Sequence, residues 1–170
     1  IFADDAAHAI DFIYWLFGMP LAITARMTTA HKGSMPNDNG VVLLEYPEGL
    51  LAEVSSSFAS AAGENTTEIV GANGVLIQNY GDAPSSGQRF DPDAPSLKWF
   101  LRDREQWVVS DVPAPQKQGD RIANLAAPLS EFLHGLRPAL ATAQDGHNVL
   151  RLVLACYTSN ETGQRVDMGE

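Results

Sequence analysis

The chain has 170 residues, 45% of them hydrophobic and 19% charged, the proportions of one soluble globular domain around one ordinary core. Its formal net charge is -10, and the 11 basic residues are scattered without a stripe that could follow phosphates, which argues against nucleic acid as a partner. A single cysteine, Cys156, rules out an internal disulfide. No apolar run reaches the ~18 residues of a membrane span and no basic leader opens the chain, so a cytoplasmic location away from membranes is expected.

The chain opens on Ile1, only three residues before the polar start of a strong helix, and is therefore expected to be a fragment, the later half of something larger, although removal of Met at a tag or processing site would look the same. Residues 4–18, DDAAHAIDFIYWLFG, read as that helix. Ala6, Ala9, Ile10, Ile13, Leu16 and Phe17 recur at three- and four-residue steps, and Gly18 with Pro20 stops it. From Pro20 the texture turns to short β-like runs. LAITARMTTA (21–30) alternates, HKGSMPNDNG (31–40) is a loop, and VVLLEY (41–46) and LLAEVSSSF (50–58) flank Pro47-Glu48-Gly49 as a hairpin. TEIVG (67–71) and GVLIQNY (74–80) form a second hairpin, with Asn73-Gly74 expected to supply positive φ.

Residues 81–96 carry Pro and Gly and are expected to be a loop, after which LKWFLRD (97–103) and QWVVSDV (106–112) make a further strand pair. PAPQKQG (113–119) connects to a helix over 121–136, interrupted by Pro128, and a second helix over 145–163 ends at Gly163. QRVDM (164–168) is a possible last strand.

Consecutive hairpins demand antiparallel pairing, because parallel neighbours need long crossovers. The expected fold class is α+β: a single mostly antiparallel open sheet with helices packed on one face, residues 1–170 forming one domain. Leu51, Val54 and Phe58 do not alternate cleanly with polar residues, so the second face of the sheet is expected to be covered too, by another subunit.

Asp4, His8 and Asp11 are spaced four and three apart and share one stripe of the first helix. Imidazole titrates near neutral pH and a neighbouring carboxylate can fix its tautomer, so His8 with Asp4 on one side and Asp11 on the other suits proton transfer to or from a hydroxyl. Periodicity alone favours a plainer account, in which Asp4 or Asp5 serves the helix N-terminus and His8 is an ordinary surface or core residue. No metal site is expected: His31, His134 and His147 are isolated, and no H-x-x-x-H or H-E-x-x-H pair occurs. Ser55, Ser56 and Ser57 lie in a strand without the G-x-S-x-G turn of a nucleophile, and Cys156 sits in an apolar helical run as core. The G-x-x-G of GANG lies between strands, where no dinucleotide fingerprint belongs.

The segment DDAAHAIDFIYWLFGMP resembles the opening of the C-terminal domain in the Gfo/Idh/MocA oxidoreductases, the group of glucose-fructose oxidoreductase and inositol dehydrogenase, on Asp4, His8, Asp11, Leu16, Gly18 and Pro20. The likeness continues through Asp38 before VVLLEY, the turn ending in Gly49, the strand LLAEVSSSF, the glycines of IVGANGVL, and the closing helix with Asp145, Gly146 and ACYTSNETGQRV, spanning residues 2–168 in order.

The resemblance implies an α/β domain whose open sheet binds substrate and forms the oligomer interface, joined in the intact protein to a Rossmann domain that holds NAD or NADP. It implies that Asp4 and His8 face nicotinamide and substrate, His8 moving a proton and Asp4 assisting it or binding substrate, with Asp11 a weaker substrate ligand. The family's catalytic lysine and glycine-rich loop have no counterpart here, so no cofactor is expected on this stretch alone and it is expected to be inactive. The expected function is the substrate-binding and oligomerisation domain of an NAD(P)-dependent oxidoreductase acting on a sugar or polyol. The competing expectation is a free-standing binding or assembly module without chemistry.

Overall fold

The alternation of residues 22–28 and 39–57 closes, as read, into an antiparallel sheet, and the computed structural model describes residues 1–31, 36–60, 64–82, 95, 97–112 and 123–169. The elements run α1 (Ala6–Phe17), β1 (Ala22–Thr28), β2 (Asn39–Glu45), β3 (Leu51–Ser57), β4 (Glu64–Gly71), β5 (Gly74–Asp82), β6 (Leu97–Leu101), β7 (Gln106–Val109), α2 (Ala126–Leu133), α3 (Ala143–Thr162) and β8 (Val166–Asp167). The α+β class is as expected from the sequence. The single sheet is not: two separate four-stranded sheets form, ordered β3-β2-β1-β8 and β4-β5-β6-β7. Turn chemistry pairs the strands within a hairpin but carries no signal about whether one hairpin joins the next. Here β3 and β4 are each the edge of their own sheet.

The chain divides into two compact units, residues 1–60 with 140–170 and residues 61–139. In the first, α1 and α3 cover one face of the sheet. Phe2, Ile10, Ile23, Leu44 and Leu152 are fully buried there together with Val42 and Cys156, each large apolar side chain worth ~1.5–3 kcal/mol of burial. The other face of this sheet carries Thr24, Arg26, Val41, Leu43, Leu51 and Glu53, with Val41 and Leu51 exposed. The β2–β3 connection is the expected tight turn, with Glu48 at φ 60 and Gly49 at φ 80.

On α1 the buried residues are Ala6 and Ile10, with Ala7, Ile13 and Tyr14 partly buried against the core. Ala9, Leu16 and Phe17, expected to face inward, are exposed; an inward stripe through Ala6 and Ile10 leaves Ala9 and Leu16 off its centre, whereas Phe17 continues the stripe in the last turn, where its ring meets Tyr46 edge-on, centroids 5.8 Å apart, and stays partly exposed. Gly18 ends the helix at φ 74, its N–H bonded to Tyr14 O. The helix α3 starts two residues before the expected Asp145, because Thr142 and Asp145 form a reciprocal capping box, and Gly163 closes it in the left-handed conformation at φ 73.

β8 pairs with β1 only at Ala22 and Ile23. Beyond it, α3 supplies the missing acceptors: Ser159 Oγ accepts from Ala25 N–H at 2.9 Å and Asn160 Oδ1 from Met27 N–H at 2.7 Å. Ser159, fully buried, also donates to Gln164 O at 2.7 Å, so both capacities of the hydroxyl are used.

In the second unit, the two-residue loop Ala72-Asn73 joins β4 to β5 as expected, but neither Asn73 nor Gly74 has a positive φ. Gly74 is needed for space: a Cβ there would lie 2.2 Å from Phe100 O on β6. β6 and β7 turn through Glu105 at φ 47. The second expected helix, over 121–136, is described as α2 at Ala126–Leu133, with Pro128 in its first turn, where a missing N–H costs no intrahelical bond; residues 121 and 122 lie outside the described residues. Most of the expected loop at 81–96 and the whole connection 113–119 lie outside the described residues.

Candidate functional site

The stripe of α1 opposite its buried residues carries Asp4, just before the helix, then His8, Asp11 and Trp15. All four are exposed, Trp15 to 72%. Phe12 stacks beside Trp15, ring centroids 6.1 Å apart. Among the described residues the side chains of Asp4, His8 and Asp11 make no hydrogen bond or ion pair, so neither carboxylate grips the imidazole from either side. The three groups are presented outward, with their placement set by the backbone beneath them.

That backbone is seated on one cross-strand pair. Gly40 on β2 lies opposite Ser56 on β3, on the core-facing side of the sheet. Phe2 rests on Gly40 so closely that a Cβ there would stand 2.5 Å from Phe2 Cε2. Ser56 Oγ donates a hydrogen bond to Asp5 Oδ2. Asp5 is the N-cap residue of α1, yet its side chain makes no cap bond. The capping role open to Asp5 from the sequence is therefore replaced by a tie to β3, which spacing along one helix could not reveal.

Further along, Tyr14 Oη accepts from Asn148 Nδ2 at 2.7 Å and donates to Asp145 Oδ1 at 3.4 Å, joining α1 to α3. Hydrogen bonds from the Thr142 hydroxyl and backbone hold the Asp145 carboxyl below its ordinary range. Asp38, part of the resemblance, is buried and works structurally: its carboxylate accepts from Ala30 N–H at 2.6 Å and His31 N–H at 3.0 Å, closing the β1–β2 loop. Cys156 is buried, and burial pushes its thiol up to about 12, far from nucleophilic.

Among the described residues no three His, Cys, Asp or Glu side chains cluster as metal ligands, and no helix is long and apolar enough to cross a membrane. A dinucleotide does not fit the residues present. Its phosphates need a glycine turn between a parallel strand and a helix N-terminus, whereas every described strand pair is antiparallel and the turn of GANG joins β4 to β5.

Residues 1–77 match the family model of the GFO/IDH/MocA C-terminal domain. The resemblance stands. The matched stretch holds α1 with Asp4, His8 and Asp11, all of the first sheet except β8, and the β4–β5 turn. A comparison with curated proteins finds no match.

Among solved structures the chain is similar to an oxidoreductase from Agrobacterium radiobacter in complex with NAD+, L-tartaric acid and magnesium, at TM-score 0.78 and 18% identity, covering 98% of this chain and 48% of that one. It is similar to the WlbA dehydrogenase from Bordetella pertussis in complex with NADH and UDP-GlcNAcA, at TM-score 0.69 and 18% identity, covering 99% and 45%. A protein from Klebsiella pneumoniae assigned as an oxidoreductase gives TM-score 0.76 at 21% identity, covering 100% and 50%. The chain thus spans about half the length of these structures, and what they share with it is the fold.

Proposed function

We propose that residues 1–170 act as the C-terminal substrate-binding and oligomerisation domain of an NAD(P)-dependent oxidoreductase whose substrate is a sugar, polyol or related hydroxyl or carbonyl compound. The observation that carries this is the unpartnered, outward stripe of Asp4, His8 and Asp11 on α1, inside the family-matched residues. Exposed groups without intramolecular partners are available to a substrate. In this reading His8 takes the proton of a substrate hydroxyl, Asp4 orients the imidazole or the substrate, and Asp11 binds a neighbouring hydroxyl. NAD or NADP would be held by a separate domain, because nothing described here cradles its phosphates. Support comes also from the Agrobacterium and Bordetella structures, whose complexes pair NAD+ or NADH with tartaric acid or a UDP-sugar. The single cysteine, buried in α3, suits the cytoplasmic setting expected from the sequence.

The oligomerisation half of the proposal draws on the second sheet. One of its faces sets Val70, Trp107 and Val109, exposed to 70%, 49% and 59%, beside Val75, Ile77 and Phe100, with Glu68 and Lys98 in the same rows and Lys98 Nζ 4.9 Å over the Trp107 ring, a largely apolar surface with charges in it, of the kind that copies of a chain cover. The same surface favours the second reading, an assembly module without chemistry.

Turnover separates the two. His8→Ala in the intact enzyme, at saturating cofactor, is expected to lose at least about a hundredfold in kcat; undiminished turnover would remove His8 from the mechanism, and an intact protein without any turnover would leave only the assembly reading.

A further inference from the structure

The start of α1 is held by two contacts that meet at one place on the sheet. Phe2, fully buried, lies over Gly40, and Asp5 accepts from Ser56, the direct cross-strand partner of Gly40. Asp4 precedes Asp5 by one residue and His8 follows it by three, and neither has a side-chain partner of its own among the described residues. The backbone bonds of this turn are long, Ala6 N–H to Ile1 O at 3.3 Å and His8 N–H to Asp5 O at 3.2 Å. Nothing within the turn therefore fixes its setting as firmly as the sheet beneath it. The middle of α1 has its own tie, Tyr14 to Asn148, which leaves the Asp5–Ser56 bond as the polar contact that orients the first turn.

We propose that Ser56, acting through Asp5 beside the Phe2–Gly40 contact, is a positioning residue that sets where Asp4 and His8 point. This inference rests on the reading of Asp4 and His8 as substrate-facing groups. Its physical weight comes from the steepness of reactive geometry: a displacement of about 1 Å in a reacting group can cost about a hundredfold in rate. A hydroxyl on a paired strand is a firm place from which to hold such a group, since this edge strand is paired along its length with β2, Ser56 opposite Gly40. The hydroxyl, rather than the bulk of the side chain, does the holding, and that separates this role from simple packing.

The test compares Ser56→Thr with Ser56→Val in the full chain, two nearly isosteric β-branched residues that differ in the hydroxyl. Amide hydrogen exchange and the His8 ring resonances are read by NMR, with the Ala25 and Met27 amides, bonded to α3, as internal controls. Ser56→Val is expected to speed exchange of the His8, Ala9 and Ile10 amides about tenfold, the worth of one hydrogen bond. It should also move the His8 ring signals, leave the controls unchanged, and be rescued by Ser56→Thr. Equal behaviour of the Val and Thr variants would overturn the proposal. If Ser56→Val also loosens the control amides, Asp5→Ala, which changes no strand residue, decides: faster exchange at His8 supports the tie and wild-type exchange overturns it. His8→Ala should leave the exchange pattern intact, so a wild-type turnover in that variant would defeat the substrate-facing reading without touching the tie.

Discussion

Asn148 of α3 donates to the hydroxyl of Tyr14 of α1 at 2.7 Å, and the same hydroxyl reaches Asp145 at 3.4 Å. The helix that carries the candidate site is in this way tied to the helix that completes the core. Tyr14→Phe keeps the ring and removes the shared oxygen, so it should cost about 1 kcal/mol of unfolding free energy, read from the urea midpoint at unchanged slope. A variant as stable as the parent would show that the seam is held by packing alone.

Gly40 is a matter of space. A methyl at this position would need Phe2, a fully buried ring, to move by several tenths of an ångström or more. Gly40→Ala should therefore destabilise by ~1–3 kcal/mol as overpacking, and Phe2→Leu in the same chain should recover part of the loss. Denaturant melts of the two single variants and the double variant form the cycle that checks this.

Ser159 replaces strand pairing that the two-residue β8 is too short to give. Ser159→Ala leaves the buried Ala25 N–H and Gln164 O without that partner, for an expected loss of ~1–3 kcal/mol. The Ala25 amide should also exchange faster, while amides in the β2–β3 ladder keep their protection.

Asp145 predicts a pH dependence. Its carboxyl is held below the usual 3.8 by hydrogen bonds from the Thr142 side chain and then its backbone. A folded-state value below the unfolded one means that the cap stabilises fully above the unfolded value of about 4 and fades as pH falls through the lower folded value. Stability should thus drop below about pH 4, and Asp145→Asn should flatten that part of the curve when thermal melts are compared from pH 2 to 6.

The hairpins were legible because turn residues announce themselves: Pro47-Glu48-Gly49 and Ala72-Asn73 sit where expected. Their joining was not, since pairing between β3 and β4 depends on tertiary contacts that no local signal encodes. Asn73-Gly74 misled in mechanism only, the glycine serving the close approach of Phe100 rather than a positive φ. The spacing of Asp4, His8 and Asp11 correctly indicated a common stripe, because period alone fixes which side of a helix residues share. The support beneath that stripe was hidden: Ser56 meets Asp5 across 51 residues of chain, and a serine in a strand looks like any other. Thr142 was missed as a cap because its partner at the third helical position is Asp145 instead of the usual Glu or Gln.

The central claim is that the stripe on α1 works on substrate. Steady-state kinetics of the intact enzyme with His8→Ala and Asp11→Asn side by side test it most directly. The account predicts a fall of about 10² to 10⁴ in kcat for His8→Ala and a raised substrate KM for Asp11→Asn; wild-type kcat and KM in both variants would contradict it.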